Sequence, residues 1–142
     1  MNRRTLLSTV GAGVTTALAG CTALLGGGST LDEDEYDIGM SASAFDPVTY
    51  EATVGETVTW GNTSQRSHTV TGVEDQIPDD AAYFASGDFD SQTAAEDGWG
   101  GQNGSIAVGA TYSHTFETPG EYQYLCLPHR AQGMFGTVIV TD

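Results

Sequence analysis

The chain has 142 residues and a formal net charge of -15, from 4 Lys+Arg against 19 Asp+Glu. Its basic residues are Arg3, Arg4, Arg66 and Arg130; without clustered cations there is nothing to hold a phosphate backbone, so nucleic acid is excluded as a partner. The length allows one domain once any processed segment is removed. A carboxylate-rich surface without lysine reads as adaptation to high salt, where the Debye length falls to about 3 Å at 1 M and self-repulsion is tolerable.

Residues 1–20 open with Arg3-Arg4-Thr5-Leu6-Leu7 and continue as an apolar stretch to Ala19. That stretch is shorter than the roughly 20 residues a spanning helix needs. It reads instead as a twin-arginine-type lipoprotein signal peptide. Leu18-Ala19-Gly20-Cys21 sets small residues directly before a cysteine, so Cys21 is the expected lipidation site. The alternative is a plain signal peptide cut near Ala19, with Cys21 incidental. Lipidation would hold the exported chain at the outer face of the cell membrane. Residues 21–37 then carry Gly26-Gly27-Gly28-Ser29 and Asp32-Glu33-Asp34-Glu35. Glycine gives flexibility and like charges extend the chain, so a lipid-anchored acidic tether is expected.

Residues 38–142 have the rhythm of strands. Tyr50, Ala52 and Val54 alternate with polar neighbours, and so do Val58 and Trp60 after a turn at Gly55-Glu56. Ser67 to Thr71 and Ser105 to Val108 are further short β-prone pieces. Tyr112, His114 and Phe116 share one face, and Thr118-Pro119-Gly120 signals a turn. Tyr122 and Tyr124 alternate up to Cys126, and Val138 and Val140 mark a closing strand. Residues 72–104 break this rhythm with Ile77-Pro78, many carboxylates and Gly98-Trp99-Gly100-Gly101. They are expected to form a long acidic surface excursion with a short helix near Asp79–Phe84. The whole pattern predicts an all-β, antiparallel sandwich.

With Cys21 lipidated, Cys126 has no disulfide partner, and a lone thiol in an exported chain is either buried and inert or a metal ligand. Its neighbours decide. Cys126-Leu127-Pro128-His129-Arg130-Ala131-Gln132-Gly133-Met134 places a thiol, an imidazole and a thioether at Cys-x2-His-x4-Met, and His68 supplies a second imidazole from another strand. A soft thiolate with two imidazoles and a weak axial thioether suits one copper ion cycling between Cu(I) and Cu(II). His68, Cys126, His129 and Met134 are the expected ligands. His129, on the loop, is the expected electron port.

These residues resemble the blue-copper, or cupredoxin, family. The ligand loop with Pro128 before its histidine is similar to that of plastocyanin and pseudoazurin. Phe45 to Tyr50, Gly55 to Asn62 and Ser67 to Val70 match the same family. With the acidic surface, the twin-arginine start and Cys21, the chain resembles the halocyanins, lipid-anchored members from salt-loving archaea. The resemblance implies an eight-stranded Greek-key cupredoxin β-sandwich. It also implies an electron carrier, a monomer, that serves membrane redox proteins. Two positions depart from the family pattern. Many plastocyanins have Asn directly after the first histidine ligand, where Thr69 stands here. They have Tyr directly before the cysteine ligand, where Leu125 stands, so the aromatic exit route is missing.

Other readings of these side chains are weaker. Copper oxidases flank the cysteine with histidine, whereas Leu125 and Leu127 flank Cys126. A binuclear site needs two cysteines in the loop. A storage or delivery protein, the main alternative, uses exposed and repeated soft ligands. A thiol hydrolase would need room for substrate between Cys126 and His129. His114 is expected to be a half-buried, hydrogen-bonded residue, Met40 a core residue, and Trp60 and Trp99 packing groups. Leu127, Pro128 and Phe135 are the expected apolar docking rim.

Overall fold

The structure, a computed structural model, describes residues 31–142. The expected signal peptide, and Cys21 as the expected lipidation site, lie outside the described residues. The described residues form eight strands: β1 (Ile38–Met40), β2 (Phe45–Asp46), β3 (Thr49–Thr53), β4 (Thr57–Asn62), β5 (Thr71–Gly72), β6 (Thr111–Thr115), β7 (Gly120–Leu125) and β8 (Phe135–Thr141). They form two four-stranded sheets, ordered β2-β1-β4-β6 and β3-β8-β7-β5. The expected all-β sandwich of eight strands is what the chain builds. It is not purely antiparallel: β1 pairs with β4 in parallel, and β3 with β8 in parallel. Both parallel pairs join strands that are not consecutive in the chain. Side-chain alternation carries no information about strand direction, so the residues alone could not show this.

The alternation itself does build the core. In β8, Gly136, Val138 and Val140 point inward while Phe135 and Thr141 are exposed. Tyr122 and Tyr124 of β7 face Ile38, Met40, Val58 and Trp60 of the other sheet within one apolar cluster. Each such side chain contributes about 1.5–3 kcal/mol by leaving water. Ahead of β1, Leu31 and Tyr36 pack over Gly61 of β4, where a Cβ would come within 2.8 to 2.9 Å of them.

The excursion departs most from expectation. No helix forms near Asp79–Phe84; there the Ala81 N–H closes a turn on the Pro78 carbonyl at 3.0 Å. The helix, α1, instead spans Gln92–Trp99. Ser91 starts it by accepting the Ala94 N–H at 3.1 Å, the capping bond an isolated short helix needs. Nor does the excursion lie wholly on the surface. Phe84 is 2 % exposed and stacks 6.2 Å from Trp60, between the rings of Phe116 and Tyr124. Gly72 makes this approach possible, because a Cβ there would sit 2.9 Å from the Phe84 carbonyl oxygen. The piece around Ile106 is reduced to a single bridge to His68.

Candidate metal centre

Two distant segments meet at one end of the sandwich. His68 lies between β4 and β5 and is pinned by a reciprocal bridge: its N–H donates to the Ile106 carbonyl at 3.2 Å and its carbonyl accepts the Ile106 N–H at 2.7 Å. Cys126 follows β7 directly, and Met134 precedes β8. The loop between them closes on its own backbone. The Cys126 N–H donates to the Met134 carbonyl at 3.0 Å, and the Met134 N–H to the His129 carbonyl at 3.3 Å. Gly133 completes the turn at φ 79°, a left-handed conformation that suits glycine.

The donor atoms converge. Cys126 Sγ lies 3.3 Å from His129 Nδ1 and 3.5 Å from His68 Nδ1, and the two Nδ1 atoms are 3.1 Å apart. Met134 is fully buried, as are Cys126 and His68, while His129 keeps 6 % of its surface exposed. The Thr69 N–H points at the Cys126 sulfur from 3.4 Å. The Thr69 hydroxyl accepts the Leu127 N–H at 2.9 Å, so one residue holds both ligand segments together. This is the position where many plastocyanins have Asn; a hydroxyl does the joining here.

Burial governs the ionisation of the donors. It pushes the Cys126 thiol above its ordinary range, and hydrogen bonds from Thr69 and from the His129 backbone offset part of that rise. Burial lowers His68 to about 4, helped by the neighbouring His129 and Arg66. His129 is lowered as well, by burial first and then by Arg66. The metal-free site therefore holds a neutral thiol and two neutral imidazoles at pH 7. This donor set fits copper: one soft sulfur and two imidazole nitrogens mutually within 4.8 Å, with a buried thioether on the same loop.

Residues 33–141 match the family model for copper-binding proteins of the plastocyanin/azurin family. The chain belongs to that family. Copper is its cofactor, and His68, Cys126, His129 and Met134 are placed to hold it. The chain is 34 % identical over 99 residues to a plastocyanin of Scenedesmus fuscus, covering 70 % of this chain and 88 % of that protein. It is 33 % identical over 125 residues to a halocyanin of Natronomonas pharaonis, covering 83 % of this chain and 65 % of that protein. Among solved structures, a Sinorhizobium pseudoazurin superposes with TM-score 0.53 at 22 % identity, over 74 % of this chain and 72 % of that one. A purple cupredoxin of Nitrosopumilus maritimus superposes with TM-score 0.50 at 22 % identity, over 73 % of this chain and 99 % of that one. At these identities the two structures speak for the fold alone.

The other singled-out residues lie outside the donor cluster. Met40 and Trp60 are fully buried in the core, and Trp99 is half-buried at the end of α1. His114 is half-buried as expected but makes no hydrogen bond to the described residues. It stacks on Phe84 at 5.2 Å and meets the Phe116 ring edge-on at 4.7 Å. Flat aromatic neighbours on the β6 face offer it contact area and no polar partner. Thr69, Ser64 and Asn62 join the site in addition to the four expected ligands. Thr69 differs from the family pattern, and that difference was the one signal available for it.

Proposed function

We propose that the protein is a mononuclear type 1 copper electron carrier, tethered outside the cell, that shuttles single electrons between membrane redox proteins. One observation carries this reading: a buried thiol flanked by two imidazole nitrogens, with only His129 reaching the surface. Bound copper would supply a one-electron Cu(I)/Cu(II) couple.

The residues do the rest. Cys126 would give up its proton on holding copper, and the Thr69 N–H, 3.4 Å from the sulfur, would stabilise its negative charge. The closed 126–134 loop and the His68 bridge keep the donors fixed, so little rearrangement accompanies a change of charge. The His129 edge is the port. Leu127 and Pro128 are half-buried and Phe135 is 48 % exposed, giving an apolar rim for docking that salt does not screen. Leu125 and Leu127 flank Cys126 in place of further ligands, which favours a carrier over an oxidase. Among the described residues there is one thiol–imidazole cluster, a poor basis for copper storage. The small residues before Cys21 support a lipid anchor, and a monomer with exposed carboxylates suits a soluble head on a tether.

The test is a visible spectrum of the copper-loaded protein. An intense blue band that ascorbate bleaches is the expected result. A colourless protein, or one that prefers zinc, would overturn the carrier reading. Membrane fractionation of a Cys21→Ala variant tests the anchor; retention equal to that of the unchanged chain would refute it.

A further inference from the structure

Asn62 ends β4 and is fully buried. Its surroundings settle which way the carboxamide points. Nδ2 lies 2.6 Å from the Arg66 carbonyl and 2.9 Å from the Ile106 carbonyl, two groups that can only accept. Oδ1 lies 3.0 Å from the Ser64 N–H, which can only donate. A flipped amide would lose all three bonds, so the orientation is unambiguous.

The Ser64 hydroxyl inherits that order. It has one proton, and two acceptors compete for it: Asn62 Oδ1 at 2.8 Å and the Arg66 carbonyl at 3.1 Å. Its oxygen already accepts the Arg66 N–H at 3.1 Å and has a second lone pair to offer. His68 Nε2 lies 2.9 Å from that oxygen. With the hydroxyl proton committed elsewhere, Nε2 is the donor. A neutral imidazole carries one ring proton, so Nδ1 is left with its lone pair. Nδ1 is the nitrogen that faces Cys126 Sγ and His129 Nδ1.

We propose that Asn62 and Ser64 are positioning residues for the copper site, fixing His68 as the Nε2–H tautomer with the Nδ1 lone pair aimed at Cys126. Neither residue is a metal ligand. The use of that lone pair rests on the electron-carrier reading, whereas the tautomer is a property of the metal-free chain. The His68 backbone is held separately by Ile106, so loss of the Ser64 hydroxyl frees the ring without freeing the backbone. The Ser41 backbone also hydrogen-bonds the ring in a sense that favours its protonation, and its share is what the test must separate.

The experiment is imidazole 1H–15N NMR on the metal-free full chain. The unchanged protein should show His68 as Nε2–H with a slowly exchanging ring proton. Ser64→Ala should raise that exchange rate about tenfold, the value of one lost hydrogen bond, and admit the second tautomer. Ser64→Thr keeps the hydroxyl and should restore both properties, with folding checked by far-UV circular dichroism. His68 found as Nδ1–H in the unchanged protein would overturn the proposal. So would Ser64→Ala leaving tautomer and exchange untouched, since Ser41 would then hold the ring alone. Failure of the unchanged protein to turn blue with copper would count against the carrier reading and not against the tautomer.

Discussion

Residues 126–134 and residues 73–104 both connect strands, yet they treat their side chains in opposite ways. The ligand loop is short and tied by its own backbone, and it turns Cys126 and Met134 fully inward. The excursion between β5 and β6 is long, carries carboxylates from Glu74 to Asp97 outward, and commits chiefly Phe84 to the core. The short loop is held by hydrogen bonds within itself. The long one is held from outside, by the Phe84 ring in the core and by backbone bonds such as Ser86 N–H to the Val70 carbonyl at 2.7 Å. The two regions touch through one exposed ion pair, Arg130 with Glu96 of α1.

This contrast can be broken most decisively at the ligand end. Cys126→Ser should abolish the blue band of the copper-loaded protein while far-UV circular dichroism stays unchanged; a surviving band would remove Cys126 from the ligand set. Next in size is the excursion's anchor. Phe84→Ala should cost about 3–5 kcal/mol in urea denaturation, because the aromatic cluster loses its central ring. A loss below about 1 kcal/mol would mean that the excursion is merely draped over the sandwich. Thr69→Val keeps the shape of the side chain but leaves the Leu127 N–H without its acceptor. It should cost about 1–3 kcal/mol in the metal-free protein by the same measurement; no loss would mean that the two ligand segments are not joined there.

Histidine ionisation separates the regions more gently. His68 is lowered from 6.5 to about 4, and His114 is lowered as well, mainly by burial. The folded state thus binds fewer protons than the unfolded chain as pH falls below 6.5. The stability from these groups is fully present above that value and drains away as pH falls through each folded pKa. Each histidine adds a slope of at most about 1.4 kcal/mol per pH unit. His114→Gln should remove one share of that slope from metal-free unfolding measured between pH 4 and 7. An unchanged slope would show that the aromatic stack does not resist its protonation. The smallest effect belongs to the contact between the regions. Arg130→Gln should cost about 0.2–1 kcal/mol at low salt and nothing in molar salt, since both side chains are exposed. A larger cost would show that α1 braces the ligand loop.

Legibility followed distance along the chain. The inward sets Tyr122, Tyr124 and Val138, Val140 repeat every second residue, and Cys126, His129 and Met134 sit within one loop, so both were open to inspection. Pro78 and the carboxylates after it suit a turn as well as a helix start, so the residues near Asp79–Phe84 do not distinguish the two. The Ser91 cap of α1 matters only once the chain has returned to β5. The alternation around His114 shows burial but not that the rings of Phe84 and Phe116, rather than a polar partner, surround it.

The residues by themselves determined the strand rhythm, the acidic surface and the copper-type donor set, since each depends on neighbours within a few positions or on composition. The tertiary structure decided which strands run parallel, that Phe84 enters the core, and how the ligands are held. The Thr69 hydroxyl meets the Leu127 N–H 58 residues away, and the Asn62 amide meets the Ile106 carbonyl 44 residues away. Contacts at such separations leave no periodic mark in a sequence, because the two sheets bring them together only when they close.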